Sequence, residues 1–360
     1  FSSIISIFNF QVNKMREKNP NKYVCIWLIL CCSLIFLMII IGGITRLTDS
    51  GLSMVEWRPL TGILPPLNNH DWNEVFAQYQ KSPEFRLLNP EMSIQEFKPI
   101  FWMEYLHRMW GRMLAVIYLL PLIFFIATKK IQRTIRPHLL MIFLLGFFQG
   151  LLGWFMVKSG LVDRPDVSHY RLVAHLMLAI FIYSYLFWIF LKIYIPNDRK
   201  VVSKKTILIK KLSTIMLVLI LTTLASGGLV AGLDAGSIYN TFPLMGDRLI
   251  PREVITLEPW FINFGENAAT VQLQHRMLAI ITGVFIIFLW IKTKSTNTTN
   301  SINLAINCLV AMTGIQIILG ITTLILSSPI IFASLHQANS IIVLTFAIWL
   351  KHETEKLRIS

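Results

Sequence analysis

The chain has 360 residues, of which 54% are hydrophobic and 14% charged, with a mean hydropathy of +0.60. Soluble domains carry about 25% charged residues, so this composition excludes an ordinary cytosolic protein. The formal net charge of +14 would suit nucleic acid only if the basic residues formed one surface, and their distribution shows that they do not.

A lipid-spanning helix needs roughly 20 mostly apolar residues. Eight stretches meet this requirement: residues 24–45, 102–128, 137–157, 170–194, 208–231, 269–291, 303–326 and 330–350. Continuous rather than alternating apolar runs select helices. The predicted fold class is an all-α integral membrane protein with eight transmembrane helices.

The gaps alternate in charge. Lys14, Arg16, Lys18 and Lys22 precede the first span, and Lys129, Lys130, Arg133 and Arg136 follow the second. Lys192, Arg199, Lys200, Lys204, Lys205, Lys210 and Lys211 surround the linker after the fourth span. Lys292 and Lys294 follow the sixth, and Lys351, Lys356 and Arg358 the eighth. This side holds 20 basic and 4 acidic residues, against 13 basic and 15 acidic on the other. The positive-inside rule then puts both termini in the cytoplasm, or in the matrix of a mitochondrion. Topology accounts for the basic excess, and no nucleic-acid partner is expected.

Cys25, Cys31, Cys32 and Cys308 all fall within predicted helices. No outer loop offers a disulfide and no CxxC offers a thiol metal site. The first ten residues lack the pattern of a cleavable signal peptide. No amphipathic, Arg-rich presequence is evident, so a bacterial inner membrane is the expected location, with the mitochondrial inner membrane as the alternative.

The two long outer loops, about 46–101 and 232–268, follow similar helix ends. GGITRLTDSG from Gly42 matches GGLVAGLDAG from Gly227, with Asp49 and Asp234 at the same offset. LHRM at 106–109 resembles QHRM at 274–277, GFFQGLLG at 146–153 resembles TGIQIILG at 313–320, and His175 matches His336. These matches keep one order, which predicts two tandem, pseudo-symmetric four-helix bundles in parallel orientation. The expected division is an N-terminal cytoplasmic segment 1–23, a first bundle 24–194, a linker 195–207, a second bundle 208–350 and a cytoplasmic tail 351–360.

Ionisable residues inside spans point to function. His107, His175, His275 and His336 each lie five to seven residues inside the outer end of an even-numbered span, roughly 7–11 Å deep. Each half thus has two histidines at similar depth, a simple way to hold a haem iron from both faces. A lone intramembrane histidine more often bonds a neighbouring helix, and two per half leave zinc incompletely coordinated. His70, His138, His169 and His352 read as solvated polar residues. Arg108 and Arg276 follow one histidine of each half; they are candidates to neutralise haem propionates, or else extend to the interface.

Glu104 precedes His107 by three residues, on the same helix face. Its counterpart before His275 is Gln272. A carboxylate can move protons or stabilise positive charge; a glutamine cannot serve as acid or base. The asymmetry assigns chemistry to the first half and a helper haem to the second, unless Glu104 only orients an imidazole or pairs with Arg108.

Long strings of the chain resemble the haem A synthase family, in the form found in mitochondria and related bacteria. They are GGITRLTDSGLSMVEWRPLTGILPPLN (42–68), FKPIFWMEYLHRMWGR (97–112), GLLGWFMVKSGL (150–161), YRLVAHL (170–176), AGLDAGSIYNTFPLMG (231–246), FGENAATVQLQHR (264–276) and LHQANS (335–340). The resemblance implies oxidation of a ring methyl of haem O to the formyl group of haem A, for terminal cytochrome oxidases. It implies that His107 and His175 are axial ligands of the substrate haem, His275 and His336 those of a cofactor haem b, and Glu104 a catalytic carboxylate. Some members carry a cysteine pair in the first outer loop; this chain has none there, so a cysteine relay at that position is excluded.

The substrate haem O is expected to enter laterally from the lipid bilayer, with haem O synthase a candidate partner. The electron-transfer partner is encoded by no nucleotide, flavin or iron–sulfur motif. Aromatic residues of the outer loops, Trp57, Trp72 and Tyr79 in one and Tyr239, Phe242 and Trp260 in the other, together with Arg58, are expected to lie over the bundles. Two rivals remain, a two-haem membrane b-type cytochrome and a haem transporter or chaperone.

Overall fold

The computed structural model describes residues 22–56, 62–161, 165–195, 200–201 and 204–358. Trp57, Arg58 and the N-terminal segment with Lys14, Arg16 and Lys18 lie outside these. Among the described residues, eight helices are long and apolar enough to cross a membrane: α1 (Lys22–Leu47), α2 (Ile94–Ala127), α3 (Arg136–Gly160), α4 (His169–Tyr194), α5 (Lys204–Gly232), α6 (Ala268–Lys294), α7 (Asn300–Ile325) and α8 (Ile330–Glu355). Large apolar side chains such as Leu120, Phe147, Val284 and Ile318 are exposed on α2, α3, α6 and α7, as lipid-facing surfaces require.

Helix α1 packs against α2 and α4, and α3 against the same two. The next four repeat this ring: α5 packs against α6 and α8, and α7 against α6 and α8. The rings meet where α1 touches α8, and where α4 touches α5 and α8. Small residues let these backbones approach. A Cβ on Gly228 of α5 would stand 3.1 Å from Val173 of α4, and one on Gly43 of α1 would collide with the Gln337 amide of α8. That amide donates to the Ile39 carbonyl at 3.0 Å.

One apolar core runs through both rings toward the basic-loop ends of the helices. Leu28, Leu122, Leu139, Leu186, Met216, Leu289, Leu309 and Leu344, one from each helix, are essentially inaccessible. Packing thins toward the histidines. In α2 no residue between Glu104 and Tyr118 is buried, nor in α3 between Ile142 and Gly160, nor in α7 beyond Thr313.

The boundaries differ from expectation at two helices. Ser93 and Glu96 form a reciprocal capping box, so α2 starts at Ile94, well before the apolar run. Its extra turns receive the first outer loop: Tyr79 stacks on Phe97 with centroids 4.9 Å apart, and Trp72 meets Phe101 edge-on. At the other end, α8 continues into the expected tail as far as Glu355. Lys200–Val201 pairs in parallel with Leu357–Arg358, tying the linker to the C-terminal residues.

Three histidines read as solvated are packed instead. His352 is buried edge-on against Trp188 at 5.2 Å. The His138 Nδ1 lies 2.6 Å from the Tyr185 hydroxyl, and His169 is largely covered, 3.6 Å from Glu266. Imidazoles fit well in half-apolar helix contacts, and helix period alone does not reveal them. Only His70 of the four is exposed.

Candidate functional site

His107, His175, His275 and His336 come from α2, α4, α6 and α8. Each imidazole lies against a glycine of an adjacent helix. A Cβ on Gly42 would stand 3.1 Å from His107 Cε1, one on Gly153 3.0 Å from His175 Cε1, one on Gly227 3.1 Å from His275 Cε1, and one on Gly320 2.8 Å from His336 Cε1. The Cε1–Nδ1 edge faces the glycine each time. His107 and His175 are within electrostatic range of one another, as are His275 and His336.

Gln149 of α3 donates to the His175 carbonyl at 3.0 Å, and Gln316 of α7 to the His336 carbonyl at 3.0 Å. Each ring therefore offers two imidazoles on opposite helices, each lying against a neighbouring glycine. Among the described residues no group of three or more His, Cys, Asp and Glu side chains gathers as a metal site. Two imidazoles alone suit the axial positions of a porphyrin iron better than zinc.

Above the histidines a polar clamp recurs in both rings. Arg108 donates through Nη2 to the Met54 carbonyl and through Nη1 to the Glu56 carbonyl, at 2.8 and 3.1 Å. Arg276 donates through Nη2 to the Tyr239 carbonyl and through Nη1 to the Thr241 carbonyl, both at 2.9 Å. Both arginines thus anchor the outer loops. Arg108 also grips Glu104, its Nε 3.0 Å from Oε1, while Arg276 Nη2 lies 3.3 Å from Gln272 Oε1. The buried Arg276 Nε has no partner in the protein, so this guanidinium retains a donor for an anion such as a propionate.

Glu104 is almost completely buried. Besides Arg108, its Oε2 accepts from the Ser53 hydroxyl at 2.6 Å and the Met54 amide at 2.7 Å. These donors occupy both carboxyl oxygens and fix the side chain in place. Glu104 is therefore held rigidly one turn before His107, and its pairing with Arg108 is part of what holds it.

A second buried carboxyl stands in the first outer loop. Glu84, in the short helix Pro83–Leu87, is 4% exposed, and its Oε2 has no hydrogen-bond partner. Burial pushes its pKa up to about 7; the Tyr79 hydroxyl opposes this, and the negative charges of Glu104, Asp49 and Asp166 add to it.

Tyr239 donates to Glu253 at 2.7 Å, whereas Phe242 and Trp260 are exposed. Sequence reading missed the seats of the histidines. The signal was present, since Gly42 and Gly227 share one offset and Gly153 and Gly320 another, and both pairs lie in matched strings. It also missed Ser53, Glu84 and Ser226, which have no counterpart in a repeat and no diagnostic spacing.

Comparison with known proteins adds to this geometry. The family model described as cytochrome oxidase assembly protein (COX15-CtaA) matches residues 25–348. The chain is 43% identical over 351 residues to "Heme A synthase" of Nitrosospira multiformis, covering 96% of this chain and 99% of that one. It is 45% identical over 327 residues to the protein of the same name from Nitrosomonas eutropha, covering 91% and 92%. "Heme A synthase COX15" of Arabidopsis thaliana is 41% identical over 340 residues, 92% of this chain and 74% of its own.

Proposed function

The chain belongs to the COX15-CtaA family of cytochrome oxidase assembly proteins and has haem A synthase activity, and from this premise we propose how its residues divide the work. The first helix ring, within residues 24–194, takes haem O as substrate between His107 and His175. The second, within residues 208–350, holds a resident haem b between His275 and His336. The single observation that carries this division is the polar clamp: in both rings the arginine holds two loop carbonyls through Nη1 and Nη2, but it grips Glu104 in the first ring where the second has Gln272.

Haem b, when bound, supplies a one-electron redox centre. The protein's own residues do the rest. Glycine seats and the glutamine bonds to the His175 and His336 carbonyls fix imidazole orientation. Glu104 presents a preorganised negative charge, which stabilises positive charge developing on the substrate methyl as it is oxidised. The Arg108 clamp closes the first outer loop over that charge and keeps water from screening it. Arg276 holds the second loop in the same way and offers its remaining Nε–H to a haem propionate.

Both termini and the basic loops face the cytoplasm or matrix, so the histidines lie near the outer face of a bacterial or mitochondrial inner membrane. The substrate reaches the first ring through the bilayer from a haem O synthase, and electrons leave through a partner docked from outside the chain.

The deciding experiment expresses the full chain with a source of haem O and identifies the extracted haems by mass. Haem A is expected from the wild type and none from His107→Ala, while His275→Ala and His336→Ala lose bound haem b. A carrier would yield only unmodified b-type haem, and a transporter would return haem O unchanged; either result overturns the reading.

A further inference from the structure

The two rings differ in what surrounds the imidazole Nδ1. Ser226 precedes the glycine that seats His275, as Ile41 precedes the glycine that seats His107. The Ser226 Oγ lies 2.8 Å from the Thr223 carbonyl and 2.8 Å from His275 Nδ1. A hydroxyl has one proton. The carbonyl can only accept it, so Oγ must accept from His275 Nδ1–H. That fixes the tautomer in which Nε2 carries a free lone pair, the form that binds iron. On α8 the neighbour of His336 Nδ1 is the Gln316 side-chain NH2 at 3.2 Å, a donor, so His336 has no matching acceptor.

The first ring has no acceptor of the Ser226 kind. His107 Nδ1 and His175 Nδ1 are both buried with no hydrogen-bond partner. Ile41 has no polar side-chain atom to offer, and Gln149, matching Gln316, bonds only the His175 carbonyl. An imidazole without an acceptor on its outer N–H is a weaker donor to metal, and its ring orientation is less restrained.

We propose that Ser226 is a positioning residue that locks His275 as a lasting axial ligand, and that Ile41 withholds the same lock from His107 so that the first ring can release its haem. This rests on the reading that the second ring keeps a cofactor while the first turns over a substrate. The chemistry requires such a difference: a product must leave the first site after each cycle, and the haem of the second must stay.

The test compares Ser226→Ala, Ser226→Thr and Ile41→Ser in the full-length protein purified with haem. The rate of haem b loss to excess apomyoglobin and the midpoint potential of haem b are measured. Ser226→Ala is expected to release haem b roughly tenfold faster or more and to raise the midpoint potential, because a less basic imidazole stabilises ferric iron less. Ser226→Thr keeps a hydroxyl and is expected to restore both values, which a general packing defect would not allow. Ile41→Ser is expected to slow release of haem A from the first ring. Unchanged loss rate and potential in Ser226→Ala, or unchanged release in Ile41→Ser, would overturn the proposal. Retention of haem b in His275→Ala would instead overturn the division of sites beneath it, so the two failures are distinct.

Discussion

Arg108 binds the Glu104 carboxylate from one turn further along α2, and the same guanidinium reaches the carbonyls of Met54 and Glu56 in the loop above. Both side chains are nearly inaccessible, 10% and 4% exposed. Removing one member of a buried pair leaves the other charge uncompensated, which typically costs 3–5 kcal/mol. Arg108→Gln is therefore expected to destabilise the protein by about 3 kcal/mol or more. Glu104→Gln in the same background should recover much of the loss, as a double-mutant cycle of thermal unfolding would register. Glu104→Gln alone should retain haem but stall turnover, with an alcohol intermediate among the extracted haems. Normal haem A output from it would remove the catalytic role of the carboxylate.

The seat of His336 is the tightest of the four, with a Cβ on Gly320 only 2.8 Å from Cε1. An imidazole held by iron cannot swing aside as a long flexible chain can. Gly320→Ala is expected to shift the low-spin spectrum of bound haem b and to lower its occupancy several-fold. Gly314→Ala, on the same helix with no atom within 4 Å of the added Cβ, should leave both unchanged. Equal haem content and spectra in the two variants would refute the seating of the ring.

Much of this arrangement was legible in the sequence because membrane physics simplifies it. Eight apolar runs had to be helices, and the His-Arg and Asp-x-Gly matches marked the repeat. The Glu104 and Gln272 difference was visible for the same reason, since a repeat supplies its own reference. Contacts that depend on which helix lies beside which were not legible. Gly42 and Gly43 are neighbours in sequence, yet one seats His107 of α2 and the other receives Gln337 of α8. The extra turns of α2 were missed because a capping box, Ser93 with Glu96, overrides the end of the apolar run. The burial of His352 depends on Trp188, 164 positions away.

Gly232 closes α5 against the start of α4. A Cβ there would stand 2.6 Å from His169 Cβ and 3.0 Å from its Cα. Backbone, unlike a side-chain tip, cannot step aside, and overpacking of this kind costs roughly 1–3 kcal/mol. Gly232→Ala should lower the midpoint of thermal unfolding. Gly146→Ala, in open space on α3, should hold or raise it, because alanine is the better helix former by about 1 kcal/mol. The opposite ranking would show that the α4–α5 contact yields easily.

Glu84 gives the outer loop a pH dependence of definite sign. Its carboxyl titrates at about 7 in the folded protein, chiefly because it is buried, with Glu104, Asp49 and Asp166 adding to the effect. The unfolded chain releases this proton near pH 4.3. Between these values the folded state binds the extra proton, so raising the pH lowers stability. The favourable contribution is complete below the unfolded value and is lost as the pH rises through 7, on the order of 3 kcal/mol in total. Glu84→Gln cannot lose a proton. The difference in stability between variant and wild type should therefore grow in the variant's favour from pH 5 to pH 8. Thermal unfolding of both proteins in the same detergent at each pH measures it, and a difference independent of pH would show that Glu84 is already ionised in the fold.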